Sequence, residues 1–191
     1  MSNEKGKVLI LVAPSGGGKS TMAERLLKDF DKLHFSVSAT TRPPRPGEVE
    51  GRDYQFLSDQ EFKQKIEEGE FLEWEEVYRG VKYGTLRKTI ENELEKGYYV
   101  LFDLDVLGAL NVKKKFGDRA LVIFLAPPSL EVLRQRLIDR GSETDQSLKK
   151  RLERAKKEMS YADRFDKTVV NDHLDDTYQQ VRQIVENFIK K

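Results

Sequence analysis

The chain has 191 residues, enough for one domain with insertions and a sizeable buried core. Its 34 basic and 33 acidic residues nearly cancel, so no global field draws it onto nucleic acid or membrane, although a local basic cluster can still hold a small anion. Cysteine is absent, which excludes disulfides and thiolate metal sites and fits a reducing compartment, so the expected localisation is cytoplasmic.

The first residues, MSNEKGK, are polar, and the apolar run that follows, Val8 to Ala13, is too short for a signal-peptide core or a membrane span. Val8–Val12 is a continuous β-rich run, as in a strand buried on both faces. Lys19–Phe30 carries Met22, Leu26 and Phe30 on one helical face, and His34–Ala39 reads as a second short strand. In TTRPPRPGEVEGRDYQF, prolines and glycines exclude helix, while Asp53–Leu57 reads as a strand. Ser58 and Glu61 form a capping box before a helix with Phe62 and Ile66 on one face, ended by Gly69.

Phe71–Tyr78 is strand-like and Arg79-Gly80 turns it. Leu86, Ile90 and Leu94 mark a helix closed by Gly97, and YYVLFDLD (98–105) is another buried strand, followed by a helix to Phe116. Ala120–Leu125 is a strand, and after Pro127-Pro128 a helix carries Leu130, Leu133 and Leu137. The charged stretch Arg140–Lys157 continues helically toward Tyr161. Lys167–Val170 is the last strand, and Leu174, Tyr178, Val181, Val185 and Phe188 define a closing amphipathic helix. Trp74 and the phenylalanines are expected in the core, and His34 and His173, which have no supporting ligand cluster, are expected to be structural.

Strands alternating with helices imply an α/β fold, a parallel sheet core flanked by helices with right-handed crossovers. The expected core comprises 1–35, 86–128 and 158–191. Residues 36–85 form a strand-rich insertion beside the strand ends, and 129–157 an arginine-rich helical lobe.

Chemistry begins at the end of the first strand. Gly16, Gly17 and Gly18, with Lys19 and Ser20 after them and Ala13 before, fit a strand–loop–helix phosphate-binding loop in all but the first position, which usually holds glycine. Such a loop turns backbone N–H groups toward a polyphosphate. Lys19 adds a charge for the β- and γ-phosphates, the Ser20 hydroxyl can bind Mg²⁺, and the helix N-terminus contributes its dipole. One methyl at Ala13 costs little where φ is negative. Asp103, ending the apolar strand VLFD, is placed to orient a metal-bound water.

With this loop, SVSATTRPPRPGEVEGRDYQF closely resembles guanylate kinase, as do FLEWEEV (71–77), YGT (83–85), DLD (103–105), APPS (126–129), RLIDRGSETDQSLKKRL (136–152) and VVND (169–172), all in order. The resemblance implies a P-loop nucleoside-monophosphate-kinase fold with a GMP-binding insertion and a helical lid. It implies transfer of the γ-phosphoryl group of ATP to GMP or dGMP, with Mg²⁺. The partners are then the small molecules ATP and GMP, with neither nucleic acid nor membrane; a homo-oligomer is left open. ATP is expected at Ala13, Pro14, Ser15, Gly16, Gly17, Gly18, Lys19, Ser20 and Thr21, with Asn171 near the adenine, and Mg²⁺ at Ser20 and, through water, at Asp103.

Arg42 and Arg45, three apart in a proline-stiffened segment, can fork onto phosphate oxygens, and Tyr54 and Tyr83 can add hydroxyl donors. By resemblance these four grip the GMP phosphate. Glu73 can accept from guanine N1–H and N2–H₂, a donor pair adenine lacks, and Ser38, Thr85, Asp103 and Asp105 are the matching positions for further contacts to GMP. Arg136, Arg140 and Arg151 match lid arginines that close over the triphosphate and, with Lys19 and Arg42, complete the catalytic set. Arg134 and Arg154 are read as solvated. Besides Ala13, Leu107 departs from the family, which usually has glutamine there. The other reading is a catalytically inactive guanylate-kinase-like interaction domain, which typically has a degraded phosphate loop or GMP arginines.

Overall fold

A computed structural model describes residues 5–78, 80–139 and 145–191. The elements in chain order are β1 (Val8–Val12), α1 (Lys19–Asp29), β2 (Leu33–Phe35), β3 (Ala39–Thr40), β4 (Gln55–Phe56), α2 (Asp59–Glu67), β5 (Phe71–Tyr78), β6 (Val81–Leu86), α3 (Arg87–Glu95), β7 (Tyr99–Asp103), α4 (Val106–Phe116), β8 (Ala120–Ala126), α5 (Leu130–Asp139), α6 (Asp145–Met159), β9 (Lys167–Val170) and α7 (Leu174–Ile189). Contacts group them into two units, Met1–Lys7 with His34–Val100 and Val8–Leu33 with Leu101–Lys191.

A five-stranded sheet has the order β2-β7-β1-β8-β9. β8 runs parallel to β1, with Ile10 opposite Val122, and parallel to β9, with Phe124 opposite Thr168. Every residue of β1 is buried, as its unbroken apolar run requires of a strand covered on both faces. Buried Met22 and Leu26 of α1 and Val181 and Val185 of α7 lie on the helical faces read from the sequence. The fold is α/β, as expected. α5 and α6 share a separate apolar cluster of Leu133, Leu137, Leu148 and Ala155, with Leu152 packed against it.

The other unit carries a four-stranded sheet of order β4-β3-β6-β5. Its core is Ala39, Phe62, Phe71 and Leu86, with the Phe62 and Phe71 rings stacked at 4.4 Å. α2 starts with the expected capping box: Ser58 accepts from the Glu61 N–H while the Glu61 carboxylate accepts from the Ser58 N–H.

Four local expectations change. His34–Ala39 is two strands, because β2 belongs to the five-stranded sheet and β3 to the four-stranded one, and the chain leaves one before entering the other across Ser36–Ser38. Asp53–Leu57 contracts to Gln55–Phe56, since its partner β3 is itself two residues long. β6 had no apolar run to mark it; it pairs antiparallel with β5, where a Cβ at Gly84 would lie 2.8 Å from the Phe71 ring and 2.9 Å from Glu73 O. Trp74 and Phe35 are both 45% exposed rather than core. Charged helix continues as α6 from Asp145, while residues 140–144 lie outside the described residues.

Candidate active site

The phosphate loop joins β1 to α1. Gly16 and Gly18 have φ of 87° and 88°, a region that side chains rarely adopt. α1 begins with no side-chain cap and no acidic residue in its own first turn, so the helix itself supplies nothing to offset its positive dipole end. Ser20 and Thr21 are exposed there.

Ala13 fits this loop for a definite reason. No non-glycine residue has positive φ among the described residues, so Ala13 does not occupy a glycine-only conformation. Its Cβ lies 2.8 Å from where a Cβ on Gly17 would stand, and the Gly17 N–H donates to Pro14 O at 2.8 Å. The methyl of Ala13 therefore uses room that Gly17 leaves open.

Lys19 Nζ stands 2.5 Å from Asp103 Oδ1 and donates to Leu104 O at 3.2 Å, so the loop lysine meets the acid that ends β7. Asp105, two residues on, caps α4 by accepting from the Gly108 N–H at 2.8 Å. Arg154, read as solvated, is 64% exposed but approaches the other Asp105 oxygen at 3.9 Å, a contact its helical spacing does not reveal. Leu107 is 61% exposed in the first turn of α4.

Asn171 is only 4% exposed, and its side-chain amide donates to Gly17 O at 2.8 Å while its backbone N–H donates to Ala126 O at 2.7 Å. A Cβ on Gly18 would fall 2.3 Å from Asn171 Nδ2. Arg136 Nη2 donates to Asn171 O at 3.0 Å and to Asp172 O at 3.1 Å, and Arg151 Nη1 donates to Ser15 Oγ at 3.1 Å. Two of the three arginines read as lid residues thus touch the loop or the strand end supporting it; Arg140 lies outside the described residues.

In the other unit, a basic and aromatic cluster forms beside β6. Arg42 Nε donates to Tyr83 Oη at 3.1 Å, and its guanidinium lies over the Tyr54 ring, 4.7 Å from the centroid. The Tyr54 and Tyr83 rings meet edge to face at 6.0 Å. Arg42 also forms a fork with Glu48, both bonds at 2.6 Å, and Glu48 accepts the Arg45 N–H at 2.7 Å. The Arg42 bond and then the Arg45 N–H pull the Glu48 carboxyl down to about 2, and Glu48 in turn holds Arg42 above its ordinary value. Glu48 carries no sequence signal of its own; an acid six residues after an arginine in a loop matches no local motif. The Arg45 side chain is exposed.

Thr85, buried, donates its hydroxyl to Glu73 at 2.6 Å. Tyr83 and Thr85 are two apart on β6 and so share a face, which brings the Arg42 cluster and the Glu73 carboxylate to the same side of the sheet. Ser38 is half-buried just before β3, and its carbonyl accepts from the Gln55 N–H at 2.9 Å. His34 has the structural role expected of it: it meets Glu93 at 2.6 Å and stacks on Tyr98.

Comparison with known proteins places these clusters in context. Residues 5–188 match the guanylate kinase family model. The chain is 50% identical to a guanylate kinase of Porphyromonas gingivalis over 186 residues, covering 97% of this chain and 99% of that protein. It is 45% identical to one of Thermotoga maritima, covering 95% and 86%. A crystal structure of guanylate kinase from Anaplasma phagocytophilum aligns with a TM-score of 0.75 at 32% identity, over 98% of this chain and 88% of that one.

Proposed function

We propose, on the premise that the chain belongs to the guanylate kinase family and is an ATP:GMP phosphotransferase, that its two residue clusters divide the two substrates. Loop residues 13–21 take the triphosphate of ATP, and the four-stranded sheet takes GMP. The observation that carries this reading is the shared face of β6, where Tyr83 joins the Arg42 cluster and Thr85 holds Glu73. Two arginines beside phenolic hydroxyls suit a phosphate dianion, and a fixed carboxylate suits the guanine N1–H and N2–H₂ edge.

In the transfer, a phosphate oxygen of GMP attacks the γ-phosphorus of ATP, the bond to the β,γ-bridging oxygen breaks, and ADP leaves. No covalent enzyme intermediate is required, so the protein's work is placement and neutralisation of charge. Arg42, Arg45, Tyr54 and Tyr83 hold the acceptor phosphate, while Glu73, Thr85, Ser38, Asp103 and Asp105 serve the rest of GMP. Lys19 moves its charge from Asp103 to the β- and γ-phosphates. Arg151, which donates to Ser15, and Arg136, which donates to the carbonyls of Asn171 and Asp172, supply guanidinium charge on the ATP side. Arg140 completes that set by its place in the sequence. Asn171 acts on the ATP side by supporting Gly17.

Mg²⁺ suits this donor set. Ser20 and Asp103 would offer it hard oxygen ligands. Held there, the ion would offset the negative charge of the triphosphate during transfer. Loss of catalysis in an interaction domain goes with damage to the loop or the GMP arginines, whereas Lys19, Ser20, Arg42, Arg45 and Asp103 are all present here. No helix among the described residues is long and apolar enough to cross a membrane, and the cysteine-free composition supports a cytoplasmic setting. A coupled assay with Mg²⁺, ATP and GMP is expected to yield ADP and GDP in equal amounts; absence of turnover would favour the interaction domain.

A further inference from the structure

The Arg42 guanidinium has five N–H groups, and the structure accounts for four. Nε donates to Tyr83 Oη at 3.1 Å, Nη1 to Pro43 O at 3.0 Å and to Glu48 Oε2 at 2.6 Å, and Nη2 to Glu48 Oε1 at 2.6 Å. The fork is well shielded, with side chains 10% and 19% exposed. The same carboxylate accepts the Arg45 N–H at 2.7 Å. One acid therefore ties together both arginines that the proposed function gives to the GMP phosphate.

We propose that Glu48 is a positioning residue of the GMP-phosphate site, holding the Arg42 guanidinium over the Tyr54 ring and fixing the Arg45 backbone so that its exposed side chain is presented to the phosphate. The inference rests on the assignment of Arg42 and Arg45 to that phosphate. With Glu48 in place, Arg42 offers one remaining Nη2–H, so the Arg45 side chain supplies the uncompensated positive charge. The opposite role, a stand-in anion that the phosphate must evict, fits the geometry less well. Eviction breaks three short charge-assisted bonds at once, including one to a backbone N–H that no stand-in needs. Glu48 is moreover ionised throughout the neutral range, so no proton uptake assists its departure.

The test is GMP binding by calorimetry, with steady-state kinetics and thermal midpoints, for the parent, Glu48→Gln, Glu48→Asp, Arg42→Ala and the Arg42→Ala/Glu48→Gln double variant. We expect Glu48→Gln to weaken GMP binding by about 10-fold or more, the size of a lost hydrogen bond to a charged group, with the KM for ATP within about 2-fold of the parent. Glu48→Asp should recover part of the loss and carries the comparison if the glutamine variant folds poorly. In the Arg42→Ala background, Glu48→Gln should weaken GMP binding less than it does in the parent, since much of its action passes through Arg42. GMP binding at Glu48→Gln equal to or tighter than the parent, while Arg42→Ala is impaired, overturns the positioning role. Unchanged GMP binding at Arg42→Ala overturns the site assignment beneath it.

Discussion

Thr85 donates its buried hydroxyl to the Glu73 carboxylate at 2.6 Å, directly across the β5–β6 pair. A carboxylate fixed from the sheet interior meets an incoming donor edge without first losing rotamer freedom, which is how a site turns binding energy into specificity. Thr85→Val keeps the side-chain shape and removes the donor. We expect the KM for GMP to rise by about 10-fold with the KM for ATP unchanged, the size of one hydrogen bond to a charged group. Steady-state kinetics in both substrates checks it, and an unchanged KM for GMP removes the orienting role of Thr85.

Asn171 holds the phosphate loop from below through Gly17 O. Asn171→Asp sets a carboxylate oxygen against that carbonyl in a place only 4% exposed, so an acceptor faces an acceptor and a charge is buried. The KM for ATP should rise by at least about 10-fold, with Asn171→Ala intermediate and GMP binding unaltered. Equal loss on the ATP and GMP sides points to general unfolding instead.

Lys19→Ala removes the charge now paired with Asp103 at 2.5 Å. The expected loss in kcat is at least ~10², about 3 kcal/mol of transition-state stabilisation, at saturating concentrations of both substrates. A variant with parental kcat would show that the loop lysine does not serve the transfer.

Acid should act through the carboxyl groups held low by their partners. Glu48 lies at about 2 against an ordinary 4.5, chiefly through Arg42, and Asp53, Asp59, Glu61, Glu70 and Glu93 are also lowered. A depressed folded-state pKa gives stability that is present above the unfolded value and lost as pH falls through the folded one. For Glu48 that window runs from 4.5 down to about 2. Thermal midpoints should therefore fall more steeply with acid in the parent than in Glu48→Gln. Parallel curves would mean that the Glu48–Arg42 pair does not contribute to folding.

Most of the architecture was legible because burial writes itself into periodicity. The three-and-four spacing along α7 marks a helix face, and the short unbroken apolar run of β1, bounded by a proline and glycines, marks a buried strand. The small sheet was less legible, because β3 and β4 are two residues long and β6 contains Gly84, so neither alternation nor an apolar run marks them. Individual site residues could be named from the resemblance, but their couplings could not. That Glu48 ties Arg42 to Arg45, that Thr85 anchors Glu73 and that Asn171 lies beneath Gly17 are contacts made by folding, between residues 3 to 154 positions apart. Ala13 shows the reverse: it departs from the motif, and its explanation lies four residues away at Gly17.

The central claim is that the Glu73 carboxylate selects guanine. The most direct measurement is kcat/KM for GMP and for AMP in the parent and in Glu73→Gln, with the KM for ATP as internal control. A base edge read by hydrogen bonds should give the parent a preference for GMP of at least about 10³-fold. Glu73→Gln should cut that preference by at least about 10-fold while leaving the KM for ATP near the parental value. A Glu73→Gln enzyme that retained the full parental preference would contradict the account.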